Sequence, residues 1–221
     1  MTENWAHTDK YLSDILIGED TALDATIAAN AEAGLPPIDV APVQGKFLLL
    51  LARAIGARRI LEIGTLGGYS TIWLARAVGE SGQVVTLEYE PHHAEVARIN
   101  IDRALVGDRV EIRVGAALDT LPTLPADDPF DLVFIDADKP NSSNYIRAAL
   151  RLSRPGTVIV VDNIVRGGAV SDPGETDEHV QGGRDVLELF ATDPRLDATA
   201  LQTIGLKGWD GFGLALVQEP N

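Results

Sequence analysis

Apolar positions along this chain change their period twice. Over 8–34 they recur at helical spacing (Leu12, Ile15, Leu16; Leu23, Ile27), with a break near Gly18 and an end at Gly34-Leu35-Pro36-Pro37. That pattern predicts a pair of helices laid over a main body. A further helix is expected from about Pro42 to Ile55, since proline in a first turn removes an N–H the helix does not need. From Arg58 onwards, short apolar runs alternate with amphipathic segments. ARRILEIG, GQVVTLE, DRVEIRVG, FDLVFID and TVIVVDN read as strands. GYSTIWLARAV, PHHAEVARINIDRAL, the short AALDTLP and SNYIRAALRL read as the helices between them.

Strands and helices alternating at this spacing predict a parallel sheet covered on both faces. The last part of the chain reads differently. A helix over about 179–192 precedes two strand-like runs, ATALQTIGL and FGLALVQ, separated by KGWDG. Asp-Gly between alternating strands signals a hairpin turn, which puts Trp209 at the tip of an antiparallel hairpin appended to the sheet. With 221 residues, 45% of them hydrophobic, and no internal repeat, a single domain is expected. Residues 1–56 would be N-terminal helices that cover a site or form a dimer interface, and 57–221 the α/β core.

A formal net charge of −15 argues against nucleic acid or an anionic membrane surface as the main partner, because phosphates are repelled at long range. The chain has no cysteine, which excludes disulfides, Cys-ligated zinc and a cysteine nucleophile. The start, MTENWAHTDK, lacks a basic stretch followed by an apolar one, and FLLLLA (47–52) is far too short to span a bilayer. A soluble cytoplasmic protein is the expectation.

Two strand ends carry the candidate chemistry. FDLVFI (130–135) runs into Asp136-Ala137-Asp138-Lys139, and TVIVV (157–161) into Asp162-Asn163. If those strands lie side by side and parallel, Asp136, Asp162 and Asn163 bring three oxygen donors together with Lys139 nearby. Oxygen donors favour Mg²⁺, Mn²⁺ or Ca²⁺ over zinc or copper. Taken singly, an Asp at a strand end could merely cap a turn, and Asn163 could simply tolerate a left-handed backbone.

The first strand ends in Glu62-Ile63-Gly64-Thr65-Leu66-Gly67-Gly68-Tyr69-Ser70. Glycines there let the backbone approach a ligand, and the next helix offers free N–H groups. The spacing is G-x-x-G-G rather than the G-x-G-x-x-G of dinucleotide enzymes, and no Gly-Lys-Ser/Thr follows. Glu88 closes the second strand, where a carboxylate can accept hydrogen bonds from both hydroxyls of a ribose. An adenosine-containing cofactor without a cradled pyrophosphate is the reading that joins them.

These residues resemble the cation-dependent, S-adenosylmethionine-dependent O-methyltransferases of the catechol and caffeoyl-coenzyme A type, the small bacterial members most of all. LEIGTLGGYSTIWLA, VVTLE, RVGAALDTLP, FDLVFIDADKPN, RPGTVIVVDN and KGWDGF carry the resemblance. It implies a Rossmann-like class I methyltransferase fold with a mostly parallel, seven-stranded sheet and a homodimer. The cofactor would be S-adenosyl-L-methionine, beside a divalent cation, Mg²⁺ foremost. The implied cofactor pocket is Val40, Glu62, Gly64, Thr65, Ser70, Glu88, Ala117 and Asp136, with Glu88 on the ribose and Ala117 by the adenine. Asp136, Asp162 and Asn163 match the metal ligands and Lys139 the general base. Asp138 matches an acidic position lining the acceptor site, where Asp136 also stands. A phenolic, catechol-like acceptor follows.

The chain departs from the plant enzymes at Arg166-Gly167-Gly168, where those carry an Asn, so a coenzyme A thioester acceptor is not expected. His92, His93 and His179 match no functional position and read as surface-helix residues. Two other readings compete: a metal-independent methyltransferase in which the acidic cluster is structural, and an adenosine-ligand-binding module without chemistry. Lys139 beside the carboxylates weighs against the second, since a sensor needs no base there.

Overall fold

The protein is described by a computed structural model covering residues 2–219. Its centre is a seven-stranded sheet in the order β3-β2-β1-β4-β5-β7-β6. The strands are β1 (Arg59–Ile63), β2 (Gln83–Glu88), β3 (Val110–Val114), β4 (Phe130–Ile135), β5 (Ser153–Asp162), β6 (Leu196–Gly205) and β7 (Gly208–Val217). The first five are mutually parallel, while β7 pairs antiparallel with both β5 and β6. The helices are α1 (Thr2–Leu16), α2 (Thr21–Glu32), α3 (Pro42–Ala54), α4 (Tyr69–Val78), α5 (Pro91–Arg103), α6 (Ala117–Thr120), α7 (Ser142–Leu150) and α8 (Glu178–Thr192).

Both faces of the parallel strands are covered, which is why their sequences are apolar at nearly every position rather than at alternate ones. On one face Ile60, Val84, Leu132, Phe134 and Val160 pack with Leu48, Ile72 and Ile101 of α3, α4 and α5. On the other, Leu61, Ile63, Val85, Val133, Ile135 and Ile159 pack with Ile146 of α7 and Val186 and Phe190 of α8. The strand order reverses between β1 and β4, so their carboxyl ends open the crevice in which such sheets bind ligands. Among the described residues no helix is long and apolar enough to cross a membrane.

The N-terminal helices are tied to this body by polar contacts as well as apolar ones. Asp20 caps α2 by accepting from Leu23 N and also pairs with Arg76 of α4 at 2.6 Å. Asn100 Nδ2, buried in α5, donates to Asn30 Oδ1 (3.0 Å) and to Gly67 O (2.9 Å), while Asn30 Nδ2 donates to Asp39 Oδ1 (2.9 Å). A Cβ on Gly67 would overlap the Asn30 carboxamide. Asp9 of α1 accepts from Leu206 N at 2.7 Å.

Two expectations need correction. The hairpin turn is Leu206-Lys207, closed by the Gly205–Gly208 pair, and Asp210-Gly211 lies inside β7. Trp209 is therefore a strand residue opposite Ile204, not a tip. Asp210 Oδ1 accepts from Val165 N (3.0 Å) and Arg166 N (2.9 Å), and a Cβ on Gly211 would overlap Val165 and the Leu201 carbonyl. The Asp-Gly pair thus serves a close approach to a distant loop. The fifth strand also starts earlier than Thr157. It runs from Ser153 through Pro155-Gly156, with an irregular register between Phe130 and Leu132, the position at which a strand tolerates proline.

Candidate active site

A cavity of about 830 Å³ opens beyond the carboxyl ends of β1, β2 and β4. The turn after β1 forms its floor. Gly64 has φ +99°, and a Cβ there would overlap the Asp136 carbonyl, so only glycine lets the chain leave β1 this close to the end of β4. Glu88 fastens this turn: its Oε2 accepts from Thr65 N (3.1 Å) and Leu66 N (2.8 Å), and its Oε1 from Glu90 N (2.9 Å). His93 Nδ1 stands 3.5 Å from the same carboxylate. Glu88 borders the cavity as well, with a lone pair of Oε1 left for a ligand hydroxyl.

Glu62 stands elsewhere. It lies beneath the turn, wholly buried, and accepts from Ser70 Oγ (2.6 Å), Thr86 Oγ1 (2.7 Å) and Thr71 Oγ1. Burial pushes its carboxyl up to about 7 against the pull of those three hydroxyls, with the Asp136 charge adding to the rise. The side chain does not face the cavity; it anchors the start of α4 to β1 and β2.

At the other end of the cavity, Ile135 of β4 pairs in parallel register with Val161 of β5. The next residues, Asp136 and Asp162, therefore leave neighbouring strands at the same level, roughly 5 Å apart in the backbone. Lys139 Nζ donates to Asp136 Oδ1 at 2.7 Å and is itself buried. Asp162, 5% exposed, accepts from Gln44 Nε2 (2.7 Å) and Asn163 N (2.8 Å). Burial, then the Asp136 charge, push its carboxyl up to about 7, opposed by Lys139 and these two donors. The pocket thus holds more negative charge than its single lysine offsets. Among the described residues no three His, Cys, Asp or Glu side chains converge; Asn163 borders both cavities beside Asp136 and Asp162 and brings a carboxamide oxygen as a further donor type. An all-oxygen donor set with unbalanced negative charge fits a hard divalent cation.

Of the residues singled out in the sequence, Val40, Gly64, Thr65, Ser70, Glu88, Ala117, Asp136, Asp138, Lys139 and Asn163 all border this cavity. Asp162 instead borders a second one of about 360 Å³, beside Gln44, Phe47 and Phe212, and Asn163 borders both. Asp138 is at the wall, but its carboxylate is taken up by Tyr145 Oη and by Asn141 Nδ2 (2.6 Å). Sequence reasoning passed over Gln44, Asp39 and Tyr145, named Arg166 only as a departure from the plant enzymes, and set His93 and His179 aside, although all but Gln44 border the larger cavity. Gln44 lies 118 positions from Asp162, and only the docking of α3 beside β5 brings the two together.

A family model described as O-methyltransferase matches residues 15–216. The chain is 60% identical over 210 residues to a catechol O-methyltransferase of Mycobacterium tuberculosis, covering 95% of this chain and 94% of that one. It is 52% identical over 212 residues to a catechol O-methyltransferase of Niastella koreensis, covering 95% and 96%. The crystal structure of the O-methyltransferase from Bacillus cereus in complex with SAH superposes with a TM-score of 0.96 at 55% identity, over 99% of this chain and all of that one.

Proposed function

From membership of the O-methyltransferase family, to which this chain belongs, we propose a divalent-cation-dependent methyl transfer to one hydroxyl of a catechol-like acceptor. The protein is an S-adenosylmethionine-dependent O-methyltransferase. What this reading adds is the acceptor and the cation. The observation that supports it is the meeting, in one cavity, of the Gly64–Glu88 floor with Asp136, Lys139 and Asn163.

The donor's adenosine moiety would lie along the floor, with Glu88 on its ribose hydroxyls and Ala117 beside its base. Asp136, Asp162 and Asn163 would hold the cation. Bound there, a divalent ion supplies Lewis-acid polarisation and lowers the pKa of an adjacent hydroxyl. Gln44 and the Asn163 N–H hold Asp162 in place for that role. Lys139, in its neutral form, would receive the proton of the attacking hydroxyl at Nζ. As the acceptor oxygen bonds to the methyl carbon, the sulfur–methyl bond breaks and the sulfonium becomes a neutral thioether. Fixing nucleophile and methyl group in line supplies much of the acceleration, with effective molarities of up to ~10⁸ M attainable in general.

Asp162→Ala should abolish divalent-dependent turnover of catechols while leaving S-adenosylhomocysteine binding measurable by calorimetry. Undiminished turnover in that variant, or wild-type activity surviving EDTA, would refute the metal role and favour a metal-independent methyltransferase.

The same reading makes the protein a homodimer. Tyr11, Ile15 and Leu16 on α1 are 61–63% exposed, and Leu201, Ile204 and Leu206 of the neighbouring hairpin are 53–57% exposed. Together they form an apolar surface of the kind subunit contacts cover.

A further inference from the structure

We infer that the acceptor carries a carboxylate away from its reacting hydroxyls, and that Arg166 is the specificity-determining residue that binds it. This rests on reading the larger cavity as the acceptor site. Arg166 follows Asn163 by three residues and borders the same cavity, half-buried. Among the described residues its backbone N–H donates to Asp210 Oδ1, but its guanidinium donates to no group within 3.5 Å and has no carboxylate within 4.0 Å. A half-buried guanidinium without a partner stands ready for an anion, and its planar fork suits a carboxylate in bidentate fashion.

The surroundings discriminate between charges. Lys139, the other cation at this end of the cavity, is engaged by Asp136. Asp138, the acidic side chain that would attract an ammonium, has its oxygens occupied by Tyr145 and Asn141. The acceptor end thus offers, in Arg166, a cation that no described carboxylate pairs. In a chain of net charge −15, an acidic acceptor would be repelled without such a local partner. His179, on the first turn of α8, borders the same end of the cavity.

The loop that presents Arg166 is held rigidly. Asn163, Arg166, Gly167 and Gly168 all have φ between +54° and +89°, a left-handed region that a non-glycine residue keeps only where its surroundings hold it. Asp210 pins Val165 N and Arg166 N from below. Gly168 is pressed to the Trp209 indole, where a Cβ would lie 2.6 Å from the ring. The guanidinium is therefore delivered by a fixed backbone, which suits discrimination between ligands of one size and different charge.

The acceptor class that follows is an ortho-dihydroxylated aromatic acid. The test uses 3,4-dihydroxybenzoate, its methyl ester and dopamine, with Mg²⁺ present, on wild type, Arg166→Gln and Arg166→Lys. Wild type should prefer the acid. Arg166→Gln should lower the acid-to-ester ratio of kcat/KM roughly tenfold to a hundredfold, the range expected for a lost hydrogen bond to a charged group, with most of the change in KM. Arg166→Lys should restore part of it. Calorimetric titration of the acid and the ester into protein saturated with S-adenosylhomocysteine should show the same ratio. A wild type that prefers dopamine or the ester, an acid that does not bind, or a variant that loses acid and ester equally would overturn the inference. Charge-selective binding with no methylation of any diol would instead count against the methyl-transfer reading.

Discussion

Replacing Glu62 with glutamine separates the charge of this buried carboxyl from its hydrogen bonds. The carboxyl rises from an ordinary 4.5 to about 7 in the fold, so between those pH values the folded protein binds a proton more tightly than the unfolded chain does. Stability from this group is therefore greatest below about 4.5 and falls as pH climbs through 7. The full difference is about 3 kcal/mol, and the side chain is wholly buried, so solvent screening takes little from it. For a domain of this size, each kcal/mol moves Tm by about 2–4 °C, which makes the effect roughly 6–12 °C. In Glu62→Gln the substituted amide has no such titration. Its carbonyl can accept from Thr71 and Thr86 while its NH₂ donates to Ser70 Oγ. Thermal melts of both proteins in EDTA from about pH 5 to about pH 8 should show the variant the more stable at the alkaline end, with the advantage shrinking towards acid. Melting curves that stay parallel across that range would refute the assignment of an ionising, desolvated carboxylate at this position.

Two further outcomes follow from the packing. Gly64→Ala places a Cβ against the Asp136 carbonyl at φ +99°, a backbone contact no rotamer relieves. It should cost at least about 2 kcal/mol and weaken S-adenosylhomocysteine binding; wild-type melting and affinity would contradict the close approach. Ile15→Glu puts a charge on the exposed face of α1 and should convert a dimer to a monomer by light scattering, whereas an unchanged mass would place the contact elsewhere.

The parallel strands were legible because each is an apolar run bounded by turn residues, and Asp136 and Asp162 because each sits where such a run stops. What escaped was everything set by distant partners. Asp210-Gly211 has the local signature of a hairpin turn, yet its carboxylate answers the backbone of Val165 and Arg166, 45 and 44 positions away. Pro155-Gly156 looks like the end of a loop, but β5 absorbs it as an irregularity at the sheet's lower rim. Glu62 sits in the middle of an apolar strand with nothing nearby in sequence to show that Thr86, beside it in register, and Ser70 and Thr71 would solvate it. His93 and His179 fall on helix turns that face the cavity only once the sheet is closed.

The Asn30–Asn100–Gly67 junction has a consequence for anyone who tries to change what this enzyme accepts. Grafting a relative's first two helices onto this scaffold, as one might swap a cassette, would replace one half of a matched lock. Asn30 and Asn100 should covary: a larger side chain at the former displaces the turn at Gly67, and a shorter one leaves an amide facing empty space. Retargeting is better attempted at the Arg166 end, where a change of side chain leaves that lock closed.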